Sequence, residues 1–180
     1  MVGKLRLWML AVVGAASAGS PLGAEPVDLG RIETYRNERF GFVVRYPTEV
    51  FEPAEQQGSS DGRVFASRDG DARLIASAGL NTSAQTLQEY RRFVMEQTYQ
   101  GAIYDYKPVR KTWFVLSGTL GDKMFYERIV FACGGEVIYG WQMTYPTARR
   151  DFYDRVVETI HRHYRPGKGE NNTCNQPPGD

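Results

Sequence analysis

Gly58-Ser59-Ser60-Asp61-Gly62 fits the Gly-x-Ser-x-Gly pattern in which a serine nucleophile stands at a strained strand-to-helix elbow. The context around it does not fit. A polar, glutamine-rich segment precedes Ser60 and a strand-like run at 63–67 follows, where an elbow needs a strand and then a helix. The general base would have to be His161 or His163, the only two histidines. Those histidines are also the natural metal ligands, but residues two apart on a helix point about 200° away from each other and do not converge on one ion. Placed in a last helical turn with Arg162 and Arg165, they suit the negative end of the helix dipole. Asp69-Gly70-Asp71 lacks the further oxygen donors and the bidentate glutamate of a calcium loop, and reads as a hairpin turn. Glu127 and Arg128 are adjacent in a strand pattern and so point to opposite faces, which leaves at most one of them on the face that helices cover. A buried glutamate there would suit acid/base work, whereas a solvated position or a cross-strand ion pair is the commoner use. Paired carboxylates at glycosidase spacing and phosphate-cradling glycine loops are absent from the sequence.

The two cysteines are Cys133, near the end of a strand-like run, and Cys174, in a polar tail. They are not in a Cys-x-x-Cys arrangement, so redox catalysis is not indicated. An intramolecular disulfide would close a loop of about 40 residues and stabilise the fold by roughly 4 kcal/mol on the chain-entropy model. It would also tie the tail at 170–180, which has no other evident anchor, back onto the domain. The alternatives are two free thiols or an intermolecular bridge.

An oxidising compartment follows from the N-terminus. Lys4 and Arg6 give a basic start, 7–16 is an apolar run without a charge, and Ala16-Ser17-Ala18 is a small-x-small cleavage pattern, with Leu22-Gly23-Ala24 as a second. The run is too short to span a bilayer core of about 30 Å. The organisation expected is a signal peptide and leader at 1–24, an N-terminal leader segment at 25–34, one domain at 35–166 and a polar tail at 167–180. Taking Lys4 and Arg6 from the 22 basic residues leaves 20 against 21 acidic ones, a balance with no field to collect nucleic acid or anionic lipid. Roughly 155 residues suffice for one core without a metal. Aromatics make up 13% of the chain, eleven of them tyrosines, enough to line a groove as well as the margins of a β-rich core.

Periodicity supplies the elements that would position these groups. Phe40, Phe42, Val44 and Tyr46 alternate and predict a strand ended by Pro47. The following segment to residue 61 is a loop with room for a short edge strand. Runs at 63–67 and 72–80 flank the Asp69-Gly70 turn as a hairpin. Thr86 and Glu89 match a capping box that opens a helix to about residue 98, with Leu87, Tyr90, Val94 and Gln97 on one side. Strands follow at 109–117, 124–132 and 137–145, turning at 118–122 and at Gly134-Gly135. Val137, Tyr139, Trp141, Met143 and Tyr145 share a core face. A last amphipathic helix at 148–164 carries Phe152, Val156, Ile160 and Tyr164 and stops at Pro166-Gly167. The class predicted is α+β, an antiparallel sheet covered by two amphipathic helices.

The pattern Tyr-x-Asn-x-x-x-Gly-Phe-x-Val-x-Tyr-Pro at 35–47, with this element order and a closing helix, resembles the PsbP-like fold, named for an extrinsic lumenal subunit of photosystem II and shared by exported bacterial proteins. The resemblance covers 35–164 in outline, and its motif is structural rather than chemical. It implies a non-catalytic binding or assembly factor; no photosystem-binding determinant carries over. The expectation is therefore a periplasmic or secreted accessory of the bacterial cell envelope, without a cofactor, a nucleic-acid partner or a stable membrane span after signal cleavage. Its partner would be an unidentified protein or small ligand, met by tyrosines and arginines beside the sheet and by the loop at 48–61. The alternatives are a small serine hydrolase using Ser60 and a purely structural envelope protein.

Overall fold

The computed structural model describes residues 29–54, 60–172 and 174. The expected signal peptide, and Gly58 and Ser59 of the candidate elbow, lie outside the described residues. Strands β1 (Ile32–Arg36) and β2 (Val43–Pro47) form an antiparallel hairpin of their own. The main sheet is built from β3 (Phe51–Pro53), β4 (Gly62–Ser67), β5 (Arg73–Leu80), β6 (Ile103–Tyr106), β7 (Trp113–Leu120), β8 (Lys123–Ala132) and β9 (Val137–Pro146). Its order is β3-β4-β5-β9-β8-β7-β6, antiparallel throughout. Helix α1 (Leu87–Gln97) sits on one face, and α2 (Arg150–His163) with the β1–β2 hairpin sits on the other. The fold class is α+β.

The two-sided covering follows from the central strands. In β9, Val137, Tyr139, Trp141, Met143 and Tyr145 are all buried toward α2, where they join Leu74, Ala76, Val156 and Ile160. In β8 the run Met124 to Glu127 is buried on successive positions, so both faces of this strand are closed off. Phe125, Ile129 and Phe131 pack with Phe114, Leu116, Val94 and Tyr99 under α1. Glu127 and Arg128 thus both face a helix-bearing side, which corrects the expectation that at most one could: the helices lie on opposite faces rather than on the same one.

Local signals hold where a side chain does the work. Thr86 caps α1 by accepting from the Glu89 N–H at 3.3 Å, and the Glu89 carboxylate accepts from the Thr86 N–H at 2.8 Å. Replacing Thr86 by alanine should lower the unfolding free energy by about 1 kcal/mol in urea titration, and an unchanged midpoint would contradict that role. Other boundaries move. The strand expected at 109–117 is β7, whose start is delayed to Trp113, and the turn expected at 118–122 is confined to Gly121 and Asp122, because β7 and β8 pair in register to Leu120↔Lys123. Val109 makes only an isolated bridge to Phe114. The closing helix begins at Arg150, after a 3-10 turn at Thr147–Arg149. Edge strand β6 was not expected; its side chains are mostly exposed and carry no alternation of polarity.

The 35–47 motif has a physical explanation beyond its alternating aromatics. Phe40 and Phe42 are fully buried, yet β2 starts only at Val43, and residues 37–41 form the hairpin turn. Asn37, itself buried, makes that turn. Its Oδ1 accepts from the Phe40 N–H at 2.7 Å, and its Nδ2 donates to the Ser60 carbonyl at 2.6 Å and to the Tyr35 hydroxyl at 3.2 Å. Gly41 supplies a φ of 70°.

The tail docks on the same turn. A Cβ on Gly167 would come within 1.8 Å of the Phe40 carbonyl oxygen, so only glycine fits there. The Tyr139 hydroxyl donates to that carbonyl at 3.1 Å and accepts from the Gly169 N–H at 2.8 Å. Arg39 pairs with Glu170 at 2.7 Å and with Asp61 at 2.6 Å, and its carbonyl accepts from the Asn171 N–H at 2.6 Å. Cys133 and Cys174 are joined in a disulfide. The tail therefore has anchors besides the disulfide, contrary to the expectation from its composition.

Candidate functional site

Helix α1 covers β7 and β8 but leaves the same face of β5 and β9 largely bare. The paired positions there are Ile75↔Gln142, Ser77↔Gly140 and Gly79↔Ile138. Ser77, Gly79 and Gly140 leave a gap between Ile75, Gln142 and Ile138 on this face, and the result is a cleft of about 440 Å³. Tyr90, Phe93 and Val94 of α1 form one wall, and the segment at 81–85 forms the rim. Asn81 shapes that rim with its whole side chain: Oδ1 accepts from the Gln85 N–H at 3.0 Å, while Nδ2 donates to the carbonyls of Gln85 and Gly135 at 2.8 and 2.9 Å. Phe93 is 50% exposed, and the rings of Tyr90 and Phe93 lie 6.2 Å apart.

Glu127 lines this cleft from β8, opposite Gln142 in β9 and Leu116 in β7. It is only 9% exposed, and its Oε2 has no hydrogen-bond partner. Among the described residues that line the cleft there is no lysine, arginine or histidine. Desolvation consequently pushes the carboxyl up to about 7, with the neighbouring Tyr99 hydroxyl acting in the opposite sense. Tyr99, stacked on Phe125 at 4.0 Å, donates its hydroxyl hydrogen to Gln142 Oε1 at 3.2 Å. Burial first, and then the Glu127 charge, raise the hydroxyl pKa values of Tyr90 and Tyr99. The arrangement offers a concave surface with Tyr90 and Phe93 on its α1 wall, hydroxyl and amide side chains around it and a single buried carboxyl.

The residues singled out for chemistry lie elsewhere and are not brought together. Ser60 is exposed in the turn before β4, a strand rather than a helix, and its carbonyl is the acceptor for Asn37. His161 Nδ1 is hydrogen-bonded to the Tyr126 hydroxyl at 2.7 Å on the α2 side, and desolvation, then the Arg128 charge, lower its pKa. His163 Nδ1 meets the Thr159 carbonyl at 2.8 Å. No group of three metal-binding side chains occurs among the described residues. Asp69 forms the hairpin turn with Gly70 at φ 75°, accepting from the Ser67 hydroxyl at 2.5 Å and pairing with Arg149. Arg128 lies over the Trp113 ring at 5.6 Å. Of the segment at 48–61, expected to carry the working surface, none of the described residues lines the cleft.

Two other hollows carry less. One of about 760 Å³ between 81–87 and 131–136 has charged residues only at its exposed margin. One of about 460 Å³ is ringed by Arg36, Arg45, His163, Arg165 and Lys168. Among the described residues, no helix is long and apolar enough to cross a membrane.

No protein-family model matches the chain, and no curated protein matches it by sequence. Solved structures do match it in three dimensions. The cyanobacterial PsbP protein CyanoP of Synechocystis is 17% identical, with 82% of this chain and 99% of that chain covered and a TM-score of 0.57. The Ran-binding protein Mog1p of Saccharomyces cerevisiae is 8% identical, covers 76% of this chain and 96% of its own, and has a TM-score of 0.54. A point mutant of Mog1 gives 0.53 over the same shares at 8% identity. The fold is PsbP-like.

Proposed function

We propose that this protein is an exported, non-catalytic binding accessory of the bacterial cell envelope, and that the cleft between α1 and strands β5 and β9 is its working surface. One observation carries the proposal: a preformed cleft, opened on the sheet by Ser77, Gly79 and Gly140, ends on a buried carboxylate with an unpartnered oxygen. Such an oxygen costs stability in the free protein, and a ligand that donates to it recovers that cost. Export rests on the basic, apolar and small-residue sequence at the N-terminus, and the disulfide suits an oxidising compartment. Mog1, which has a similar fold, is named as a Ran-binding protein, so the scaffold is capable of serving recognition; fold alone assigns no partner.

The reading is tested by complementation of a gene deletion. Ser60→Ala and His161→Ala should restore the phenotype as the wild type does, while Gly79→Leu should not. A Cβ at Gly79 meets nothing within 4 Å, so the leucine fills the cleft without straining the strand. Loss of rescue by Ser60→Ala would favour the hydrolase, and full rescue by Gly79→Leu would remove the cleft from the account.

A further inference from the structure

Resting on the cleft as the working surface, we infer that its ligand is a small organic amine, whose primary ammonium group donates to Glu127 Oε2 while its apolar body lies against Tyr90 and Phe93. The charge argument comes first. Glu127 is the one ionisable acid among the described residues lining the cleft, and no basic side chain there neutralises it. A ligand anion would be repelled by the carboxylate, with no cation among the described lining residues to offset it. A neutral donor would satisfy the oxygen but leave a carboxylate desolvated without a countercharge.

A primary ammonium meets both needs, with a hydrogen bond to Oε2 and a positive charge beside the carboxylate. Quaternary ammonium lacks the N–H that this oxygen requires. The wall supports the same choice, because aromatic faces attract cations as well as apolar groups. Tyr90 and Phe93 stand on one turn of α1 on the cleft side, and Phe93 is half-exposed where most large apolar residues of this chain are buried. The cleft volume, about 440 Å³, lies in the range that holds a small molecule. The raised pKa of Glu127 fits this reading: an entering ammonium supplies the countercharge and draws the carboxyl back to its ionised form.

Tyramine and tyrosol share one skeleton and differ in carrying an ammonium or a hydroxyl, which makes them the probes. Isothermal titration of the full chain at about pH 8, where Glu127 is largely ionised, should show tyramine binding roughly tenfold tighter than tyrosol or better. In Glu127→Gln the preference should vanish, and in Gly79→Leu binding of both should be lost. Equal binding of the two probes, no binding of either, or an unchanged preference in Glu127→Gln would overturn the inference. Failure here and failure of the accessory role are separable. A lost preference for tyramine together with failed rescue by Gly79→Leu removes the amine and keeps the role; an intact preference with full rescue removes the role and keeps the site.

Discussion

Replacing Cys174 by serine should lower the unfolding free energy by about 4 kcal/mol, the largest single effect expected among exposed positions of this chain. The bridge to Cys133 spans a sequence separation of 41, and the loop so closed contains all of β9 and α2. The cross-link therefore restricts the unfolded chain across the segment that supplies Tyr139, Trp141, Met143 and Ile160 to the core. The docking of Gly169, Glu170 and Asn171 on Arg39 and Tyr139 does not replace it, because those contacts exist only in the folded state. Urea titration without reductant should show the loss, and adding reductant should bring the wild type to the level of the variant. A difference below about 1 kcal/mol would mean that the tail contributes little closure.

Replacing Glu127 by glutamine should raise stability by an amount that grows from about pH 4.5 and is complete above about pH 7. Burial moves the folded-state value from the ordinary 4.5 to about 7, so between those values the folded protein holds a proton that the unfolded chain has released. Stability therefore falls as pH rises through this window, by about 3 kcal/mol for a shift of this size. The groups facing Glu127 are the hydroxyls of Tyr90, Tyr99 and Tyr104, none of which carries a positive charge to compensate. Glutamine keeps the shape and removes the titration. The variant should match the wild type near pH 4 and exceed it by about 3 kcal/mol near pH 8, in urea midpoints taken across that range. Parallel profiles for the two proteins would show that Glu127 is not desolvated. A bound amine should narrow the gap at pH 8, since it supplies the countercharge.

How far the sequence discloses this molecule depends on the range of the interactions involved. The capping box of α1 is a contact between residues three apart, and it is legible. The core face of β9 is legible too, because five large apolar residues at period two have one stable use. The 35–47 motif is legible as a signature, yet its buried Asn37 makes sense only once its bond to the distant Ser60 carbonyl is known. The cleft is the least legible part. It is defined by the small size of Ser77, Gly79 and Gly140, which become neighbours only through the β5–β9 pairing. In the sequence each reads as an unremarkable strand residue. Glu127 could be noticed as a charge in an apolar strand, but its isolation from any cation depends on which residues the two helices leave around it. The helices' placement on opposite faces decides that, and amphipathic periodicity does not say which face a helix takes.

The central claim is that the α1-side cleft is where the protein meets its ligand. It is tested most directly by replacing Phe93 at the cleft wall with a photoreactive phenylalanine analogue and irradiating cells that express the protein. Intact-mass measurement of the recovered chain then reads what has attached. The account predicts a discrete adduct at position 93 and none when the same analogue replaces Arg155 on α2, across the sheet. No adduct at position 93, or the same adduct from both positions, would contradict it.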